Sequence, residues 1–191
     1  MADDSTRLPT SLKPARFDAD AFERMFEAGA FRGRRVELRG GVIVEVSPIY
    51  MAHAFVRGKI KRRLEDALAG LRPDLTILDE VSIKGADFYP TSDIVAFAYD
   101  GQNRAIRPGE VALVVEVSVT TLDDDLGDKK QRYEAIGVPE YWVVDVEQRL
   151  LHRFVLEGGQ FQAAPPLSFG ALWPSLTIAG LSIASADLTP A

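Results

Sequence analysis

Apolar positions along this chain recur with two periods, near 3.6 and near 2, and their order predicts the elements. Phe17, Ala21, Phe22, Met25 and Phe26 stand at helical spacing, so residues 17–28 predict a short amphipathic helix with Asp18 or Asp20 as its cap. Arg35 to Ser47 alternates instead. Val36, Leu38, Val42, Val44 and Val46 flank Gly40-Gly41, a pair suited to a tight hairpin turn, and Ser47-Pro48 ends the hairpin. Helical spacing returns from His53 to Leu71, where Phe55, Ile60, Leu64, Leu68 and Leu71 form the apolar face. Leu75 to Lys84 predicts a strand, residues 85–91 a turn, Asp93 to Ala98 a second strand and residues 99–109 a polar loop.

The segment from Glu110 to Asp145 carries the strongest pattern. Val111 to Val117 is an apolar run rich in valine, the pattern of a strand buried on both faces. Asp123, Asp124 and Asp125 are candidate caps for a helix starting near Leu126, which holds Lys129, Lys130, Tyr133 and Ile136 and stops at Gly137, with Pro139 beyond. Tyr141 to Val146 predicts another buried strand. Leu150 to Leu156 and Gln160 to Ala163 form a hairpin about Gly158-Gly159. Residues 167–191 show no clear period, and Trp173, Leu176, Ile178, Leu181 and Ile183 are expected on the sheet edge. Strands and helices both alternate and cluster. The expected class is α/β with α+β character, a mixed sheet flanked by helices.

Bulk numbers narrow the picture. With 191 residues, 47% hydrophobic and 26% charged, the chain fits one globular domain, expected over residues 17–191 after a flexible tail at 1–16. No apolar run approaches the ~20 residues needed to span a bilayer. The tail lacks an apolar signal core, so no membrane association and a cytoplasmic location are expected. The chain has no cysteine, which excludes a disulfide scaffold, thiolate metal ligation and a cysteine nucleophile. A net charge of −6 argues against tight nonspecific nucleic-acid binding, but not against a nuclease whose metal supplies local positive charge.

The candidate chemistry sits where carboxylates interrupt apolar strands. Glu116 closes the Val111–Val117 run and Asp93 opens the 93–98 run. A buried carboxylate needs a cation, a metal or several donors. On neighbouring strands the two acids could share a divalent ion that awaits a phosphate. Glu37, on the hairpin, is a third candidate, or a surface cross-strand partner. Lys129 could orient or activate a water beside the ion, or pair with Asp125 four residues earlier. His53 could sit near the site or approach the nucleic acid, or serve as a capping or packing histidine. Arg57 and Lys61, in the basic stretch 57–63, could touch phosphate or face solvent. Tyr133, Tyr141 and Trp142 read as packing.

Three stretches carry a resemblance: RVELRGGVIVEVSP with the following His53, then SDIVAF, then LVVEVSVTTLDDDLGDKKQRYEAIGVPEYWVVDV. They resemble the Uma-two family, described as "putative restriction endonucleases", a branch of the PD-(D/E)XK nuclease superfamily. The likeness covers roughly residues 17–185. It implies a restriction-endonuclease-like fold and a metal-dependent endonuclease acting on DNA with Mg²⁺ or Mn²⁺. It also implies ligands at Asp93, Glu116 and the Val117 carbonyl, an accessory acid at Glu37, a catalytic lysine at Lys129, cleavage leaving a 5′ phosphate, and a homodimer. Two positions depart from the pattern. Ser92 stands where the family usually has proline, and Ser118 where the wider superfamily has its lysine. The alternatives are a noncatalytic nucleic-acid-binding or protein-interaction module on the same fold, and a hydrolase of another phosphate ester.

Overall fold

The computed structural model describes residues 13–46 and 50–188. Most of the expected tail, residues 1–12, and the hairpin end at Ser47-Pro48 lie outside the described residues. Residues 13–16 carry no helix or strand.

A six-stranded mixed sheet organises the chain. It comprises β3 (Leu75–Ser82), β5 (Thr91–Ala98), β6 (Val111–Ser118), β7 (Glu140–Asp145), β8 (Leu150–Glu157) and β9 (Gln160–Ser168), in the order β3-β5-β6-β7-β8-β9. All neighbours run antiparallel except β6 and β7. A parallel pair needs a crossover, and helices α3 (Leu122–Leu126) and α4 (Asp128–Ala135) supply it.

Side chains alternate across this sheet. Ile94, Ala96, Leu113, Val115 and Val117 pack with Val56, Ile60, Leu64 and Leu68 of helix α2 (Met51–Leu71). Val95, Phe97 and Val114 face the other way, onto Tyr133 of α4 and Phe88. The period of two puts Asp93 with Val95, and Glu116 with Val114, on the α4 side.

A second sheet sits over the rim. Strands β1 (Val36–Arg39) and β2 (Val42–Glu45) form the expected hairpin, with Gly40 and Gly41 at φ 56° and 76°, the left-handed conformation its turn demands. Helix α1 (Ala19–Glu27) is capped by Asp18, whose Oδ1 accepts from the Ala21 N–H at 2.7 Å. It packs Ala19 and Phe22 on Leu38.

Several expectations are corrected. Helix α2 begins at Met51, and Val56 occupies the core position expected for Phe55. Phe55 and Leu71 are exposed, because only the i, i+4 line from Val56 to Leu68 meets the sheet. The turn at 85–91 contains a two-residue strand, β4 (Phe88–Tyr89), which pairs with β1. The single helix expected from Leu126 is two helices broken at Gly127, so Asp123, Asp124 and Asp125 lie inside α3 instead of capping α4. Trp173, Ile178, Leu181 and Ile183 join the α2 side of the main core, not the sheet edge, and Leu176 is exposed. A small ladder holds them, β10 (Leu172–Pro174) against β11 (Ser182–Ala184). Among the described residues no helix is long and apolar enough to cross a membrane.

Candidate active site

Strand register builds the centre. Ile94 lies opposite Val115 and Val95 opposite Val114, so the antiparallel pairing carries Asp93 to the level of Glu116. Both acids project from the face that Tyr133 covers, at a cavity of about 330 Å³. Glu37, His53, Val117 and Lys129 also line it. Its wall holds Glu37, Glu45, Asp93, Glu116, Asp124 and Asp125 against Arg35, Arg39 and Lys129, an excess of negative charge.

Glu116 is held at both oxygens. Tyr133 Oη donates to Oε1 at 2.7 Å, and Lys129 Nζ lies 3.1 Å from Oε2. Burial raises the carboxyl well above its ordinary range; Lys129 opposes that rise, whereas Asp93 and Asp125 add to it. Asp93 is balanced the other way. Burial pushes it up, but His53, Lys129 and the Val117 N–H together hold it below the usual carboxylate value. His53 Nε2 stands 2.9 Å from Asp93 Oδ2, and the Val117 N–H donates to the same oxygen at 2.7 Å.

Lys129 is a buried ammonium. Burial alone would lower its pKa, yet Glu116, Asp125, Glu37 and Asp93 outweigh burial and raise it, so the charge persists through the neutral range. The expected partner, Asp125, is 3.5 Å away at Oδ1. Its Oδ2 accepts from Ser118 Oγ at 2.6 Å and Thr121 Oγ1 at 2.7 Å. Glu37 is buried, not a surface partner. It accepts from Thr91 N–H at 3.1 Å and from Arg39 Nε at 3.0 Å. Arg39 continues to Asp124 at 2.6 Å, joining the hairpin to α3 across the cavity.

Arg57 and Lys61 are not in the cavity wall. Arg57 Nη1 lies 3.1 Å from Glu80 and Lys61 Nζ 2.7 Å from Glu65, so intrachain acids take up both charges. Tyr133, which the sequence reads only as packing, and Arg39, which its pattern leaves unmarked, also take part. A signal for each was present: Tyr133 is one helical turn beyond Lys129, and Arg39 is two residues beyond Glu37 on a strand. Among the described residues no group of three or more His, Cys, Asp or Glu is arranged to hold a metal by itself.

Gly127 separates α3 from the helix that carries Lys129. Its φ and ψ of −104° and −103° break the helix, and a Cβ there would stand 2.5 Å from the Asp123 carbonyl oxygen. Gly127→Ala is expected to lower stability by about 1–3 kcal/mol, the range for backbone shifts forced by an added group in a packed site. It should also loosen the Lys129–Glu116 contact. A denaturant titration checks the first, and an unchanged midpoint would show that the break needs no glycine.

A search of curated proteins finds no match. A solved structure described as "a putative nuclease belonging to DUF820", from Anabaena variabilis ATCC 29413, is similar in fold, with a TM-score of 0.65 at 14% identity, covering 90% of this chain and 97% of that one. The family model Uma2 (Uma-two), described as "Putative restriction endonuclease", matches residues 19–188. The chain belongs to the Uma2 family.

Proposed function

We propose that this protein is an endonuclease that hydrolyses DNA phosphodiester bonds with a divalent cation, Mg²⁺ or Mn²⁺. The observation that carries the proposal is the meeting of Asp93, Glu116 and Lys129, from three separate segments, in one cavity. The donor set fits a hard cation. Two carboxylates converge in a wall with excess negative charge, and Mg²⁺ is commonly held by one or two carboxylates with water and phosphate oxygens completing its shell. Asp93, Glu116 and the Val117 carbonyl would hold the ion. When bound, it would offset charge on the attacked phosphate and make a water more acidic.

The chain's own groups do the rest. Tyr133 fixes one oxygen of Glu116, while His53 and the Val117 N–H fix Asp93, so neither acid swings freely. Lys129, held protonated by the surrounding carboxylates, acts as a donor that orients the attacking water and steadies the phosphate. Glu37, tied to Arg39, adds to the negative field that keeps Lys129 protonated.

Purified protein should nick supercoiled plasmid when Mg²⁺ or Mn²⁺ is added and stop when EDTA removes it. Binding without cleavage, with either ion and with both single- and double-stranded DNA, would favour the noncatalytic module instead. Cleavage confined to RNA or small phosphodiesters would keep the site and replace the substrate.

A further inference from the structure

We propose that the Lys129 ammonium has two seats, Glu116 and Asp125, and that Asp125 is a positioning residue that receives it when a divalent cation takes Glu116 Oε2. The inference rests on the function proposed above, in which Glu116 is an ion ligand. Lys129 Nζ lies between the two acids, 3.1 Å from Glu116 Oε2 and 3.5 Å from Asp125 Oδ1. The other oxygen of Glu116 is occupied by Tyr133. A cation approaching Glu116 therefore meets an ammonium at the oxygen it needs, and the two positive charges repel.

Lys129 has no easy retreat into water, because its side chain is only 10% exposed. Asp125 is prepared for the transfer. Ser118 and Thr121 hydroxyls hold its Oδ2, leaving Oδ1 turned to the ammonium. Its side chain is 3% exposed, and it lies four residues before Lys129 across the Gly127 break. A short shift of Nζ toward Asp125 frees Glu116 without exposing or discharging the lysine. Lys129 thus opposes ion entry, and Asp125 relieves that opposition.

Calorimetric titration of Mn²⁺ into wild type, Lys129→Met, Lys129→Gln, Asp125→Asn and the double variant Asp125→Asn/Lys129→Met tests this. One buffer and pH serve every protein, and melting curves establish that each is folded. Both lysine variants are expected to bind Mn²⁺ about tenfold tighter or more, while failing to cleave. Asp125→Asn is expected to weaken binding about tenfold when Lys129 is present and less than about threefold when it is methionine, because the two residues act as a coupled pair. Lysine variants that bind no tighter than wild type would overturn the proposal. So would an equal loss from Asp125→Asn in both backgrounds, which is simple removal of a charge. If wild type binds Mn²⁺ and cleaves but these differences are missing, only the two-seat proposal fails. If wild type binds no Mn²⁺, the ion-dependent function fails and takes this proposal with it.

Discussion

Asp93→Asn and Glu116→Gln should each lower DNA cleavage by about a thousandfold or more while leaving the protein folded. The magnitude follows from the proposed role. Charge stabilisation by a bound ion is worth several kcal/mol, and about 1.4 kcal/mol corresponds to a factor of ten in rate. Amide replacements are chosen because both positions accept hydrogen bonds. Asparagine at 93 retains an oxygen for the Val117 N–H, and glutamine at 116 retains one for Tyr133 Oη. Alanine would leave those buried donors unsatisfied and confuse lost chemistry with lost structure. Initial nicking rates at saturating Mg²⁺, beside melting curves, make the measurement. Wild-type cleavage by either folded variant would remove Asp93 or Glu116 from the chemistry.

The acids were legible because a charge inside an apolar run is anomalous. Glu116 interrupts the valines of β6, and Asp93 opens the apolar part of β5. Their convergence was not legible, since it depends on the pairing of Ile94 with Val115, and antiparallel register leaves no mark on a single sequence. The Asp125–Lys129 pair is legible in its four-residue spacing, yet the helix break between them is not. Leu122–Leu126 is too short to display a period, and three aspartates suit a helix cap and a first turn equally well. Strand β4 has only two residues and no pattern to read. The placement of the C-terminal apolar residues is not legible, because their spacing follows turns and a short ladder instead of one regular element. Family resemblance named the same acids and lysine, but the hydrogen bonds from Tyr133 and His53 come only from the folded geometry.

Glu140→Ala is expected to lower the melting temperature by roughly 6–20 °C, from a loss of about 3–5 kcal/mol at 2–4 °C per kcal/mol for a chain of this size. Glu140 begins β7 and is fully buried. Its Oε1 accepts from Trp142 Nε1 at 2.6 Å and Leu176 N–H at 2.8 Å, and its Oε2 from Ser175 Oγ at 2.5 Å, Thr177 N–H at 3.0 Å and Thr177 Oγ1 at 2.7 Å. Four of those five donors come from residues 175–177. The carboxylate therefore ties the segment between β10 and β11, and with it Ile178 and Leu181, to the central sheet. Arg153 lies nearby and is buried as well. Burial lowers its pKa and Glu140 partly restores it, while its guanidinium donates to the Pro174 carbonyl at 2.8 Å. Removing Glu140 leaves buried donors without an acceptor and Arg153 with less compensation, the kind of loss that exceeds the net worth of the bonds themselves. Glu157→Ala, at an exposed carboxylate ending β8, should change the melting temperature little and serves as the control. A shift for Glu140→Ala no larger than the control's would mean that hydrophobic packing of Trp173, Ile178 and Leu181 holds this segment without the carboxylate.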